Sequence, residues 1–142
     1  MSRTLAREDA FKLVFEMEIT GISAEEALSY LYETVEDSNE MWAQKFVSDS
    51  GKLYLENVIK GVEEKKESLN EKITPMLKKW TLSRLSKVNL SVLLLAFYEI
   101  EYMEDIPHKV TANEAVTIAK KYGGDESGSF VNGVIGTLLN SK

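Results

Sequence analysis

The stretch Val92 to Tyr98 reads VLLLAFY. Wound as a helix, seven successive residues cover nearly two turns, so every side of the segment is apolar. Such a helix has no face to offer to water and must be enclosed by other elements. The rest of the chain can supply them. Only two prolines, Pro75 and Pro107, interrupt it, and between the turn signals apolar residues recur at intervals of three and four. This is helical periodicity, and it predicts an all-α fold with Ser86 to Met103 as the central helix.

The enclosing segments can be read from their stripes and stop signals. From about Arg3 to Ile19, Ala6, Ala10, Leu13, Val14 and Met17 form one stripe, and Gly21 stands just past its end. Ser23-Ala24-Glu25-Glu26 has the pattern of a capping box opening a helix to about Val35. Trp42, Phe46 and Val47 begin a third segment, with a break expected near Ser50-Gly51. Leu55, Val58, Ile59, Val62, Leu69, Ile73 and Leu77 carry its stripe onward. Within it, Glu63 to Glu67 (EEKKE) reads as a solvated face. Pro75 marks a new first turn or a kink. Thr111-Ala112-Asn113-Glu114 has the form of a second capping box, for a helix to Tyr122 stopped by Gly123-Gly124. Asp125-Glu126-Ser127 then offers caps and acids to the positive end of the last helix. That helix contains SFVNGVIGTLL, residues 129–139, in which each interior glycine costs about 1 kcal/mol against alanine.

At 142 residues and 44 % hydrophobic content, one domain with a real core is expected. With no cysteine, neither disulfides nor a thiolate zinc site can form, which fits a reducing cytoplasm. The opening MSRTLAREDAFKLVF is unlike a signal peptide. The uncharged run Val88 to Tyr98 falls well short of the roughly 20 residues a bilayer requires, so no membrane partner is expected. His108, the single histidine, has no cysteine to join it in a metal or catalytic set, and Gly123-Gly124 lacks the lysine and spacing of a phosphate loop. No catalytic residue, cofactor or metal is therefore expected. The net charge of −6 opposes nonspecific nucleic-acid binding. Its distribution does not: Lys72, Lys78, Lys79, Arg84 and Lys87 fall between Lys72 and Tyr98 with no acid among them, and Arg3, Arg7 and Lys12 form a smaller group. These residues by themselves favour a binding module over an enzyme.

The last 63 residues carry a more specific pattern. It runs through Trp80, Arg84-Leu85, Val88, Leu95-Ala96, Tyr98-Glu99-Ile100, Pro107, Asn113-Glu114-Ala115-Val116, Ala119-Lys120, Tyr122-Gly123, Ser127 and Phe130-Val131-Asn132-Gly133-Val134. In order and spacing this resembles the NusB family of bacterial transcription antitermination factors. Ala6-Arg7-Glu8, Ala10, Leu13, Phe15 and Gly61-Val62 agree more loosely. The resemblance implies about seven helices in two packed bundles. It implies binding of boxA RNA in nascent ribosomal and antiterminated transcripts together with NusE, a small-subunit ribosomal protein, inside the RNA polymerase antitermination complex and without catalysis. Two other readings stay open. One is a protein-interaction module with little RNA affinity of its own. The other is a stand-alone relative of the N-terminal domain of certain ribosomal RNA cytosine methyltransferases, although the chain has no glycine-rich cofactor loop and no cysteine nucleophile. A homodimer also stays open.

The same resemblance assigns roles to residues. Arg7, with Arg3 one turn before it, matches an arginine-rich first helix whose further arginines are replaced here by Thr4 and Leu5. Both are expected to face solvent and contact RNA. Near Pro75, where some members carry a stacking aromatic ring, this chain has Met76. Lys78, Lys79 and Arg84 are expected to contact phosphates, and Glu126 lies in the acidic stretch of the RNA and NusE surface. Phe130 is either core or contact. Asn132 and Gly133 are expected where the last helix meets its bundle, the glycine permitting close approach and the asparagine satisfying nearby backbone.

Overall fold

The computed structural model describes residues 2–37 and 49–142, and of these the side chains of 4–33 and 51–142. Among the described residues it is helical throughout, with six α-helices: α1 (Ser2–Thr20), α2 (Ala24–Asp37), α3 (Asp49–Ile73), α4 (Lys87–Tyr102), α5 (His108–Gly123) and α6 (Asp125–Asn140). Short 3₁₀ turns, Thr74–Met76 and Leu82–Arg84, lie between α3 and α4. The all-α expectation holds, with six α-helices here against about seven expected. Trp42, Phe46 and Val47 lie outside the described residues. Ser50-Gly51 does not interrupt α3 but falls in its first turn.

The chain divides into two compact units, Met1–Glu63 and Glu64–Lys142. In the first, α1 ends at Gly21, which adopts φ +78°, and α2 opens with the predicted capping box. Glu26 N–H donates to Ser23 Oγ at 3.1 Å, and Ser23 N–H donates to Glu26 Oε1 at 3.1 Å. Glu63, exposed as a solvated charge should be, also accepts from the Ala24 backbone N–H at 2.8 Å and so satisfies an orphan donor at the start of α2. The core of this unit includes Ala10, Phe11, Val14, Ala27, Leu28, Tyr54, Leu55, Val58 and Ile59.

Arg7 is a correction. It is only 2 % exposed, and its guanidinium sits over the buried ring of Tyr54, 5.5 Å from the centroid. The predicted stripe was too narrow. Arg7, Phe11 and Val14 are spaced by four and three and form a second buried column beside Ala6, Ala10 and Leu13. Of Arg3 only the backbone, in the first turn of α1, is described.

In the second unit α4 is the enclosed helix that its composition demands, buried continuously from Leu90 to Phe97, while α5 and α6 pack on it and on each other. Ser86 caps α4 by accepting from the Asn89 N–H at 3.0 Å. The second capping box does not form. α5 begins four residues earlier, with Pro107 at its N-cap, so Thr111 falls within the helix and points inward. There its hydroxyl donates to Oε1 of the fully buried Glu99 at 2.7 Å. Nor do Asp125 to Ser127 cap α6 with a side chain. Gly124 holds the N-cap at φ +89°, and Asp125 and Glu126 lie in the first turn, where their charge suits the helix dipole.

Candidate nucleic-acid interface

The chain leaves α3 through Ile73, which is fully buried, and turns on Pro75 at the start of the first 3₁₀ segment. Leu77 is also buried, so it pins this turn to the core of the C-terminal unit. The residues just beyond are thereby thrown outward. Lys78 takes a left-handed backbone, φ +58°, which a non-glycine residue adopts only at a cost of about 1–2 kcal/mol. Lys79 and Trp80 follow, both exposed, with Trp80 held by its N–H donating to the Leu77 carbonyl at 3.2 Å. Thr81 is extended, the second 3₁₀ turn ends in the exposed Arg84, and Ser86 begins α4.

On α6, Ser127, Val131, Val134 and Ile135 face inward, leaving Phe130 half-buried at the edge of that stripe. Its ring meets Trp80 edge to face, centroids 6.2 Å apart at 78°. Pairs of this geometry contribute about 0.5–1.5 kcal/mol beyond their burial. Trp80 nevertheless remains 51 % exposed. The pair forms a ridge with a cleft on each side. One, about 320 Å³, is lined by Met76, Lys78, Lys79 and Trp80 together with Phe130, Gly133 and Thr137 of α6. The other, about 340 Å³, is lined by Trp80, Phe130, Arg84, Asn89 and Glu126. Asn89 Oδ1 is buried there and makes no hydrogen bond to any described residue.

Five of the residues expected to carry function, Lys78, Lys79, Arg84, Glu126 and Phe130, are thus brought together around one aromatic ridge. Arg3 and Arg7 belong to the other unit. Phe130 is half-buried, its ring packing on Trp80 and lining both clefts. Trp80 itself was missed as a site residue. Met76 looked like a lost stacking ring, but the tryptophan four residues on lines the same cleft and restores an aromatic surface. The available signal was a tryptophan embedded in KKWTLSR, a segment too polar to bury it.

Gly133 and Asn132 are also corrections. Both are exposed, and a Cβ built on Gly133 meets nothing within 4 Å. The glycine that allows a close approach is Gly128. It is buried, and a Cβ there would collide with the aliphatic stem of Lys120 on α5. Gly123 is similarly hemmed in by Ser127 and by Val88 Cγ1. The pattern looked one turn too late along α6.

No group of acidic, histidine or cysteine side chains suited to a metal occurs among the described residues, and no described helix is long and apolar enough to cross a membrane. The sequence profile of the NusB family matches residues 4–140. The transcription antitermination protein NusB of Clostridium botulinum is 43 % identical over 144 aligned positions, covering 98 % of this chain and all of that protein. Its counterpart in Clostridium acetobutylicum is also 43 % identical, covering the whole of this chain and 98 % of the relative. Among solved structures, T. maritima NusB superposes with a TM-score of 0.82 at 33 % identity, covering 99 % of this chain and 92 % of that one. The antitermination factor NusB in a complex with NusE and double-stranded RNA shares the fold at a TM-score of 0.84 and 20 % identity, covering 99 % and 98 %. A profile that matches nearly every residue, relatives aligned end to end and a common fold lead to one conclusion: this chain belongs to the NusB family.

Proposed function

We propose that the chain is a cytoplasmic transcription antitermination factor that binds boxA RNA together with NusE, as a non-catalytic adaptor in the RNA polymerase antitermination complex. The observation that carries this reading is the end-to-end match to relatives named as transcription antitermination proteins. The C-terminal unit adds a surface of suitable chemistry. Lys78, Lys79 and Arg84 supply positive charge for phosphates, and Trp80 and Phe130 supply the aromatic faces on which unpaired bases stack.

Burial of Arg7 removes one phosphate contact that the first helix was expected to offer, and the net charge of −6 repels RNA at long range. Binding by this chain alone is therefore weak. A basic, RNA-binding ribosomal protein compensates by adding its own contacts, so that RNA meets two proteins at once. NusE should tighten boxA binding at least about tenfold, a coupling of roughly 1.4 kcal/mol, and boxA should tighten NusE binding by the same factor. The test is a titration of boxA RNA into the chain alone and into its mixture with NusE at one fixed salt concentration. Equal affinities would defeat the cooperative adaptor. NusE binding without any RNA affinity in the mixture would favour a protein-interaction module.

A further inference from the structure

Tyr30 is the most exposed large apolar side chain among the described residues, at 66 %. Its helix turns Ala24, Ala27 and Leu28 into the core of the N-terminal unit, and Tyr30 lies on the solvated face with Glu25, Glu26, Ser29 and Glu33. The neighbouring Tyr32 is packed in the ordinary way, half-buried, with its hydroxyl donating to Glu56 Oε2 on α3 at 2.6 Å. On the outer face, Tyr30 and Ser29 with Ser23 and the three glutamates line a cleft of about 560 Å³. The ring is therefore an unpartnered aromatic surface on an otherwise polar face.

The charge around it is not explained by the stability of the helix. α2 carries five acids and no base. Glu25 and Glu26 suit its positive end, and Glu26 also closes the capping box. Glu36 and Asp37 lie at the other end, where negative charge opposes the helix dipole. Positions 29 and 30 stand one turn after Glu25 and Glu26, where lysines would form stabilising pairs, and they hold serine and tyrosine. Glu25 and Glu33 make no ion pair among the described residues.

We propose that this face of α2 docks a basic, arginine-bearing segment of a protein partner, with one guanidinium lying over the Tyr30 ring and the glutamates beside it accepting its N–H groups. The surface belongs to the unit that does not carry the aromatic ridge, and its use does not depend on RNA binding. Charge complementarity selects the occupant. RNA is repelled, and so is a second copy of the chain, which brings the same five acids. An apolar side chain would cover the ring but leave three carboxylates facing no charge. No group suited to a metal occurs among the described residues. The ring favours arginine over lysine, because a planar guanidinium stacks on an aromatic face while its forked donors still reach carboxylates.

The test uses the full chain without RNA or NusE. Two labelled peptides of equal length, one alternating arginine with glycine and one alternating lysine with glycine, are titrated at low salt and read by fluorescence anisotropy. The parent should bind the arginine peptide about two- to fivefold more tightly than the lysine peptide. Tyr30→Ala should abolish that preference, Tyr30→Phe should keep it, and Glu33→Gln should weaken both peptides. Glu67→Gln, which removes the same charge from an exposed position of the C-terminal unit, should change neither. Each variant alters an exposed side chain, so each should melt within about 2 °C of the parent.

Equal affinity of the parent for the two peptides, a preference that survives in Tyr30→Ala, or a loss in Glu67→Gln as large as that in Glu33→Gln would overturn the docking face and leave a diffuse acidic field. Spermine binding with the same dependence on Tyr30 would overturn it in favour of a small polycation. A dimer in sedimentation that Tyr30→Ala abolishes would do so in favour of a second copy. A Tyr30→Ala chain that fails to fold would contradict the exposure on which the docking face stands. Since no RNA enters the assay, failure here leaves the adaptor reading standing, and failure of that reading leaves this surface intact.

Discussion

Replacing Arg7 by alanine tests the reversal in how α1 is understood. An exposed arginine at this position would tolerate the change within about 0.5 kcal/mol. The structure buries it, with its charge 5.5 Å from the centroid of Tyr54, itself only 2 % exposed. A desolvated cation–π contact contributes about 2 kcal/mol or more. Truncation also removes the two stem methylenes beyond Cβ, packed at about 0.8 kcal/mol each when fully buried. Against these stands the relief of no longer desolvating a guanidinium, which cancels part of the sum. The net loss expected for Arg7→Ala is on the order of 3 kcal/mol. For a chain of 142 residues, with roughly 3 °C lost per kcal/mol, the melting temperature should fall by about 9 °C. Scanning calorimetry at neutral pH measures this directly, and the double mutant with Tyr54→Leu isolates the ring contact, with a coupling of about 1–2 kcal/mol expected. A melting temperature within about 1 °C of the parent would refute the burial argument. If RNA affinity fell at the same time, Arg7 would return to the surface role first expected of it.

Two further outcomes follow from polar contacts in the C-terminal unit. Thr111→Val preserves shape but removes the hydroxyl that donates to buried Glu99, and it should cost about 1.5–3 kcal/mol, read as a lower urea midpoint with an unchanged slope. At Glu101, burial pushes the carboxyl up, but hydrogen bonds from Lys142 at 2.7 Å and Lys72 at 3.3 Å, with their charges, outweigh it and hold the group below its ordinary value of 4.5. The folded state therefore binds this proton less readily than the unfolded state. The stabilisation is complete above about pH 4.5 and is lost as pH falls through the lower, folded value. Glu101→Gln should accordingly lower the melting temperature near pH 7 and converge on the parent toward pH 3. A constant difference from pH 7 to pH 3 would show that the ion pairs contribute nothing.

What could be read in the sequence was whatever depends on local periodicity and on punctuation. VLLLAFY demanded enclosure, and α4 is enclosed. Gly21 and Gly124 adopt the left-handed region that their stop positions required, and Ser23 with Glu26 forms the capping box. What could not be read depends on neighbours distant along the chain. The Thr111 pattern matches a capping box locally, but Pro107 can start the helix one turn sooner, and a buried carboxylate from α4 then claims the hydroxyl. Arg7 and Gly133 mislead in opposite directions. A charge was assigned to solvent and is buried by Tyr54, while a glycine was assigned to a helix contact and faces open space. Residue type alone cannot separate a glycine that admits a neighbouring side chain from one that keeps a cleft empty, because both are simply the absence of a Cβ. The basic cluster at Lys78, Lys79 and Arg84 was legible, whereas its aromatic ridge required α6 to bring Phe130 within 6.2 Å of Trp80.

Charge divides between the two units in a way that bears on how an acidic protein handles RNA. Residues 1–63 carry 13 acids against six bases, a net of −7, and residues 64–142 carry 10 acids against 11 bases, a net of +1. The total of −6 thus describes neither unit. Lys78, Lys79 and Arg84 stand exposed around the Trp80–Phe130 ridge. The acidic excess of residues 1–63 contributes a repulsive field that salt screens beyond about 8–10 Å. A basic partner experiences the opposite balance and is drawn to the acidic unit. The uneven charge thus offers a polyanion and a basic protein different parts of one sequence.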